Sequence, residues 1–371
     1  MRDTLRIFVP RLMDAANTNA QNLNAKALLS RFKSANARWV TTYYDEPDRQ
    51  VAAAPQVELK KLWRRRFWHW DMLLQYQNKV DAIFYPGMEW FDLRGLEVRK
   101  RLHRRIPVIG TLEGLAGDEV RERKLETILG HKIYCHRVGR DVIERCDRIL
   151  HSCDHIIAIT PMLAKIGREL YGEKVSALPL GINSRTFHQR HARKEDEFRI
   201  IGVGNLTANK RPELFVDLAQ QFPNGKFVWF GQGSRIDELR ARCSDRKITN
   251  LEFSGMALPQ QLADEYNRSS LFLLPSISEG APKVLQEAAA CGLPRIAFGF
   301  YEPAITHGFD GFVVWTDEEF VARVAELVRD PMKAREMGSR AAETAANWNW
   351  DVIAPQWENE ILARVDQLRS R

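Results

Sequence analysis

Short apolar segments alternate with amphipathic stretches along most of this chain, and the alternation starts again halfway. Strand-like segments begin near residues 5, 38, 80 and 106, and a second series begins near residue 198. Parallel strands need long crossover connections, which helices supply, so this order predicts parallel sheets with helices on both faces. A chain of 371 residues has room for two such cores. We therefore predict two doubly wound α/β domains facing each other across a cleft.

The division between the domains is predicted at a polar, charged stretch over residues 183–197. We assign residues 1–185 to an N-terminal domain and residues 186–349 to a C-terminal domain. Residues 350–371 carry apolar side chains at helical spacing, which predicts a helix that either caps the second domain or crosses back to the first. Helices are also predicted over 59–79 and 93–104.

Positive charge is concentrated in the first half of the chain. The formal net charge is +7, and residues 1–190 hold 33 cationic against 22 anionic side chains. This imbalance favours an anionic partner for the N-terminal domain. Residues 60–70 interleave cations with aromatic side chains, a pattern shared by membrane-surface helices, nucleic-acid-binding segments and ordinary amphipathic helices. The candidate membrane or acceptor surface comprises Arg64, Arg65, Arg66 and Trp68.

Composition and spacing argue against several other classes. The five cysteines form no Cys-x-x-Cys pair, which disfavours a structural zinc site and suits a reducing compartment. No apolar run approaches the roughly 18–20 residues of a membrane span, and the first residues do not resemble a secretory signal. The acidic run at 195–197 lies in the linker rather than in an Asp-x-Asp metal motif. We expect a cytoplasmic protein that needs no metal or other cofactor, with attachment to the inner face of the membrane left open.

The most informative stretch covers residues 271–294. A buried strand ends near Pro275, a Ser/Gly loop follows, and a helix begins near Pro282. A helix N-terminus at the carboxyl end of a parallel strand is a natural seat for phosphate. Glu279 precedes this helix and Glu287 lies within it. Taken alone, these carboxylates fit either ligand binding or an ordinary helix cap and a solvated face.

The surroundings of the two glutamates resemble a known signature. Glu279 and Glu287 are eight residues apart, with Pro-Ser before them and Glu-Ala-x-Ala-x-Gly-x-Pro closing the motif. This resembles the E-x7-E signature of family 4 of the retaining glycosyltransferases, which have the GT-B fold of two Rossmann-like domains. Further segments are similar in the same order, over roughly residues 155–330: 178–187, 202–211, 230–233, 253–255 and 308–311.

The resemblance implies a site for a nucleoside-diphosphate sugar. In it, Glu287 binds the donor ribose, Glu279 lies near the hydroxyls of the donor sugar, and Lys210 pairs with the diphosphate. The backbone N–H groups of Lys283 and Val284 hold the distal phosphate. The implied donor-binding set is Asn205, Lys210, Gly255, Glu279, Gly280, Lys283, Val284 and Glu287.

Three features depart from the family pattern. Asn205 stands where the family often has Arg, and the first loop, 14–20, is poor in glycine. Many members carry His in the region where this chain has Glu113. That carboxylate orients the acceptor, lies near the reacting sugar, or is an ordinary loop residue. The implied catalytic set is Glu279, Lys210 and Glu113.

The function implied is metal-independent transfer of a sugar, with retention, from a nucleoside-diphosphate donor to a glycan or lipid-linked acceptor. The expected setting is envelope polysaccharide or lipopolysaccharide synthesis. Two alternatives stay open: a catalytically weak GT-B scaffold that binds nucleotide-sugar or glycan, and a GT-B sugar-nucleotide epimerase. Nucleic acid is not an expected partner.

Overall fold

The computed structural model describes residues 4–62, 80–87, 96, 106–190 and 197–370. Its chain forms two compact units. The N-terminal unit comprises Met1–Leu129, Cys135–Gly181 and Trp350–Arg371, and the C-terminal unit comprises Gly130–Tyr134 and Ile182–Asn349. Each unit is built on its own parallel sheet, as the alternating pattern predicts.

The N-terminal unit contains a seven-stranded sheet of order β3-β2-β1-β4-β5-β8-β9, in which every pairing is parallel. The inner strands β4, β5 and β8 are buried along their whole length, as is typical of a parallel sheet covered on both faces. The main-sheet strands are β1 (Leu5–Leu12), β2 (Ala37–Tyr43), β3 (Val57–Lys61), β4 (Ala82–Tyr85), β5 (Val108–Leu112), β8 (His155–Ala158) and β9 (Val175–Ala177), and β6 (Ala116–Gly117) pairs with β7 (His136–Arg137).

Helices connect these strands. Two of the longer ones start at side-chain caps, which helix starts favour. Asn19 caps the first helix by accepting from the Asn22 N–H, and Thr160 caps the fifth. The helices are α1 (Ala20–Leu29), α2 (Arg49–Ala52), α3 (Glu119–Leu129), α4 (Arg140–Ser152) and α5 (Pro161–Tyr171).

The C-terminal unit repeats the architecture. Its six strands follow the order β12-β11-β10-β13-β14-β15, again all parallel. The strands are β10 (Arg199–Val203), β11 (Lys226–Phe230), β12 (Leu251–Gly255), β13 (Leu271–Leu274), β14 (Arg295–Phe298) and β15 (Gly311–Val314). The helices are α6 (Pro212–Gln221), α7 (Ile236–Asp245), α8 (Pro259–Arg268), α9 (Lys283–Ala290), α10 (Asp317–Arg329) and α11 (Pro331–Ala345).

The last helix, α12 (Trp350–Arg369), belongs to the N-terminal unit. The Glu358 carboxylate accepts from the backbone N–H groups of Lys33 at 2.9 Å and Ser34 at 3.0 Å. The indole N–H of Trp357 donates to the Pro179 carbonyl at 2.8 Å. Both side chains are at least 95% buried, so they anchor the helix in this unit's core.

The prediction of a helix over 59–79 is wrong at its start. Residues 59–61 belong to β3, an edge strand that pairs in parallel with β2 from Trp39↔Val57 to Tyr43↔Lys61. Val57 and Leu59 alternate with Glu58 and Lys60, and charged side chains are common on exposed sheet edges. Residues 63–79 lie outside the described residues, and so does the predicted helix 93–104 apart from Leu96, which is helical and buried.

Within the part of the chain that the structure describes, no helix is both long and apolar enough to cross a bilayer.

Candidate active site

Two loops meet at the switch point of the C-terminal sheet. Strands β10 and β13 are neighbours there although they are not consecutive, and ligands of open α/β sheets bind beyond the carboxyl ends of such strands. The loop after β10 covers 204–211, and the loop after β13 covers 275–282. The Asn209 side-chain amide donates to the Ser278 carbonyl at 2.8 Å, and the Ile277 N–H donates to the Asn209 carbonyl at 3.1 Å. These bonds join the two loops into one surface.

Lys210 and Glu279 form an ion pair at this junction. Their side chains retain 20% and 14% of their exposure, so the pair is partly desolvated but still reaches the surface. The two sequence-predicted residues, 69 positions apart, are thus brought into contact. A phosphate oxygen competes for the same ammonium, since Lys acts as a point charge that binds phosphate and carboxylate alike.

Arg211, next to Lys210, has a different set of contacts. It adopts a left-handed backbone conformation with φ of 48°, and its guanidinium donates to both carboxylate oxygens of Asp317, at 2.8 and 2.5 Å. The guanidinium also lies 5.4 Å from the centroid of the Phe298 ring. The Arg211 guanidinium therefore holds the loop in place through Asp317 and Phe298.

Two glycines allow the neighbouring loop to pack against the loop after β10. A Cβ atom on Gly231 would lie 2.0 Å from the Gly204 carbonyl oxygen, and one on Gly233 would lie 2.5 Å from the Leu206 carbonyl oxygen. Only glycine fits at such distances. Asn205, between these contacts, has an exposed side chain. Gly255, at the end of β12, accepts from the Gly231 N–H at 2.8 Å and has open space where a Cβ would point.

Helix α9 begins directly after the loop that carries Glu279 and Gly280. Its N-cap is Pro282, whose side chain makes no capping hydrogen bond. Lys283 and Val284 are the first helical residues, so their backbone N–H groups lie at the positive end of the helix dipole. This arrangement is the one that binds anions at helix N-termini.

Glu287 lies one turn further along α9 and is partly buried. Burial raises its pKa to about 7, against an opposing effect from the Lys283 ammonium. A carboxyl group with such a pKa is a strong hydrogen-bond partner in either protonation state. The carboxylate is therefore poised to accept from ligand hydroxyls.

Two residues near this site were not predicted from the sequence. Asn209 bridges the two loops, as described above. Tyr266, on α8, is fully buried, and its hydroxyl has no hydrogen-bond partner among the described residues. Burial, and to a lesser extent the charge of Glu287, holds the Tyr266 pKa well above its usual value. The sequence predicts a buried helix face from the spacing of Leu262, Ala263 and Tyr266. It does not predict that the Tyr266 hydroxyl lies near Glu287.

The segment 308–311, which resembles a nucleotide-side loop, contains a buried ion pair. Asp310 Oδ2 lies 2.7 Å from Arg295, and both side chains are completely buried. Asp310 Oδ1 also accepts from the Thr306 N–H at 2.8 Å. The Asp310 carboxylate therefore holds the loop between β14 and β15 in place through its contacts with Arg295 and Thr306.

Glu113 lies in the N-terminal unit, after β5. It is partly buried and lines a cavity of about 500 Å³ together with Thr111 and Gly87. The structure groups Lys210, Glu279 and Glu287 in the C-terminal unit and Glu113 in the other. The candidate surface residues Arg64, Arg65, Arg66 and Trp68 lie outside the described residues.

Solved structures share this fold over nearly the whole chain. The structure of Anabaena HepE in complex with UDP and glucose matches 97% of this chain and 100% of its own, with a TM-score of 0.73 at 12% identity. Sucrose-phosphate synthase from Thermosynechococcus elongatus matches 98% of this chain and 99% of its own, with a TM-score of 0.75 at 18% identity. Together with the two parallel sheets, these matches define a protein of the GT-B fold.

The sequence comparisons point to glycosyltransferases. Residues 183–344 match the family model described as glycosyl transferases group 1. The alpha-galactosylglucosyldiacylglycerol synthase of Streptococcus pneumoniae is 26% identical over 38% of this chain and 42% of its own length. The amylovoran biosynthesis glycosyltransferase AmsD of Erwinia amylovora is 30% identical over 47% of this chain and 50% of its own. The chain thus spans about half the length of these curated relatives.

Proposed function

We propose that this protein transfers a sugar from a nucleoside-diphosphate donor to a hydroxyl of a glycan or lipid-linked acceptor, with retention at the anomeric carbon. The observation that carries the proposal is the Lys210–Glu279 pair at the switch point of the C-terminal sheet. A cation suits the diphosphate of such a donor, and a neighbouring carboxylate suits the hydroxyls of its sugar, so the pair supports this proposal. The helix start at Lys283 and the Glu287 carboxyl complete the donor site.

The ammonium of Lys210 would stabilise the charge that develops on the departing diphosphate. The bond between the anomeric carbon and the phosphate oxygen breaks, and the acceptor oxygen bonds to that carbon on the same face. The acceptor proton passes to the departing phosphate oxygen, so the nucleoside diphosphate is the second product. Positioning and electrostatic stabilisation account for such catalysis without a dedicated metal ion.

The relatives support the chemical class of the reaction. AmsD is described as a glycosyltransferase of amylovoran biosynthesis, and the pneumococcal relative as the synthase of a glycosylated diacylglycerol. The HepE structure contains UDP and glucose. We propose by analogy a role in envelope polysaccharide or lipopolysaccharide assembly, and UDP is the first nucleotide to test. Family 4 of the retaining glycosyltransferases is the proposed class.

A thermal-shift titration with UDP, GDP and ADP in the presence of a chelator tests donor binding. Saturation at about 100 times the dissociation constant stabilises a protein by roughly 2.7 kcal/mol, which is easily measured. We expect one nucleotide to raise the unfolding temperature of the wild type, and a smaller rise in Glu287→Ala. Absence of any shift in a folded sample contradicts the donor site.

Product analysis separates transfer from the two alternatives. Incubation with the selected nucleotide sugar and an acceptor mixture should release nucleoside diphosphate and form a glycoside with the donor's anomeric configuration, as read by NMR. Binding without turnover would identify a scaffold. Conversion of the nucleotide sugar without an acceptor would identify an epimerase.

A further inference from the structure

The loop after β14 brings a tyrosine to the loop that carries Glu279. Strand β14 pairs in parallel with β13, with Leu274 opposite Ala297, so the two loops leave the sheet side by side. Glu279 lies five residues beyond Leu274, and Tyr301 lies four residues beyond Ala297. The register of the two strands therefore places a phenol and a carboxylate at the same edge of the sheet.

The Tyr301 hydroxyl has no hydrogen-bond partner among the described residues, although the side chain is only 2% exposed. Buried polar groups of native proteins are almost always paired, so this unpaired hydroxyl requires an explanation. Burial, and to a lesser extent the charge of Glu279, holds the Tyr301 pKa well above its usual value. The hydroxyl therefore keeps its proton and stays a donor for a nearby acceptor.

Aromatic packing holds the turn in which Tyr301 lies. The rings of Phe298 and Phe300 stack with their centroids 5.1 Å apart and an angle of 7° between their planes. Phe300 also meets the Trp315 ring edge-on, with centroids 5.9 Å apart. Because these rings pack closely, the turn keeps one conformation, and the phenol is in place before a ligand binds.

Occupancy of the donor site would deprive Glu279 of its partner. In the unliganded protein its carboxylate pairs with the Lys210 ammonium, and its side chain is 14% exposed. Lys210 is its hydrogen-bond partner among the described residues, and a diphosphate would compete for that ammonium. A mostly buried carboxylate without a partner is costly. A second donor close to Glu279 would lower this cost.

We propose that Tyr301 is a positioning residue, whose hydroxyl replaces Lys210 as the hydrogen-bond donor to Glu279 when a diphosphate occupies the donor site. The ammonium turns to the phosphate, while the carboxylate stays ionised and keeps its orientation toward the donor sugar. The proposal rests on the proposed function and adds an exchange of partners to it. Tyr301 lies outside the E-x7-E signature, and the strand register and the unpaired hydroxyl identify it.

A double-mutant cycle on UDP affinity tests the exchange, with GDP or ADP in its place if the thermal-shift titration selects one of them. Tyr301→Phe removes the hydroxyl and keeps the ring, so the nucleotide must separate Lys210 from Glu279 without compensation. We expect calorimetry to show a loss of affinity of about tenfold, the effect of one hydrogen bond to a charged group. In the Glu279→Gln background no ion pair has to be broken, so Tyr301→Phe should change affinity by about twofold or less.

Two controls address a purely structural effect. The Tyr301 hydroxyl is unpaired in the unliganded protein, so Tyr301→Phe should not lower the urea midpoint measured without nucleotide. Tyr134→Phe removes a second phenol hydroxyl from the same unit, where the Tyr134 ring meets Phe300 edge-on with centroids 5.0 Å apart. This variant should keep its UDP affinity within about twofold of the wild type.

The outcomes distinguish the partner exchange from the donor site itself. A loss of affinity confined to the protein that retains Glu279 supports the exchange. Equal losses in both backgrounds would give Tyr301 a structural role and overturn the exchange, and so would an unchanged affinity in Tyr301→Phe. In either case nucleotide binding by the wild type leaves the proposed function standing. A wild type that binds none of the three nucleotides overturns the donor site and the exchange together.

Discussion

In the proposed donor site, the Glu287 carboxyl should make nucleotide binding depend on pH. Ribose hydroxyls donate hydrogen bonds most strongly to the ionised form, and a pKa of about 7 leaves about a tenth of the group ionised at pH 6 and about nine tenths at pH 8. We expect nucleotide affinity to rise about tenfold between these pH values in the wild type. Calorimetric titration of Glu287→Gln should show a much weaker dependence. An identical pH profile in both proteins contradicts the ribose role.

The same residue makes a separate prediction for the stability of the unliganded protein. Its folded pKa lies above its unfolded value near 4.5, so the proton binds the native state more tightly. The stabilisation from protonation is fully present below pH 4.5 and is lost as pH rises through 7. Glu287→Gln should therefore exceed the wild type in free energy of unfolding at pH 8, by about 1–3 kcal/mol, and lose that advantage at pH 4.5. Urea titrations at both pH values measure the difference.

Lys210 and Arg211 are adjacent cations that we expect to behave in opposite ways. Lys210→Met removes the ammonium that we propose stabilises the departing diphosphate, and loss of one such electrostatic contact typically lowers turnover by about 100-fold or more. Arg211→Met removes the contact with Asp317 instead and should lower stability with turnover changed only a few-fold. Steady-state rates and urea midpoints of both variants check this. Equal losses of turnover in Lys210→Met and Arg211→Met would contradict the different roles of the two cations.

At the scale of elements, the alternation of strands and helices and the parallel pairing were predictable, and the contacts between loops were not. Segments such as 271–274 and 227–229 are apolar throughout, because strands of a covered parallel sheet are buried on both faces. Strand β3 was missed since its alternating Val57-Glu58-Leu59 pattern runs into a cationic, aromatic stretch that suggests a helix. The approach of Lys210 to Glu279 follows from the resemblance and the switch-point rule. The bridge through Asn209 depends on loop conformation, which spacing does not encode.

The loop between β14 and β15 depends on the fully buried ion pair of Asp310 and Arg295. Asp310→Asn leaves the fully buried Arg295 without its counter-ion, and breaking such a pair typically costs about 3–5 kcal/mol. Asp317→Asn is the matched control, because Asp317 is 47% exposed and its pair with Arg211 should contribute about 1 kcal/mol or less. Urea unfolding of the two variants should show this difference. Similar losses of unfolding free energy in Asp310→Asn and Asp317→Asn would mean that burial does not determine how much these ion pairs contribute to stability.

At the scale of the whole molecule, the stability of the N-terminal unit depends on the end of the chain. Glu358→Ala leaves two backbone N–H groups and the Trp39 indole without the acceptor they share, so we expect a loss of about 2–4 kcal/mol. Asp351→Ala is the control on the same helix. The Asp351 side chain is 53% exposed, so loss of its ion pair with Arg31 should cost about 1 kcal/mol or less. Hydrogen exchange should locate the Glu358 effect in the N-terminal unit. A uniform loss of protection in both units contradicts this assignment.

The chain enters and leaves the C-terminal unit at adjacent points. The Ile182 N–H donates to the Trp348 carbonyl at 2.7 Å, and Ile182 pairs with Asn349 as an isolated bridge. The main segment of the C-terminal unit, Ile182–Asn349, is therefore an insert whose two ends nearly touch, the arrangement in which whole domains are exchanged with least disturbance of their host. A gene could acquire a different C-terminal segment by replacing this part while keeping its N-terminal unit. A frameshift or stop codon at the same exit point would instead remove the final helix of the N-terminal unit.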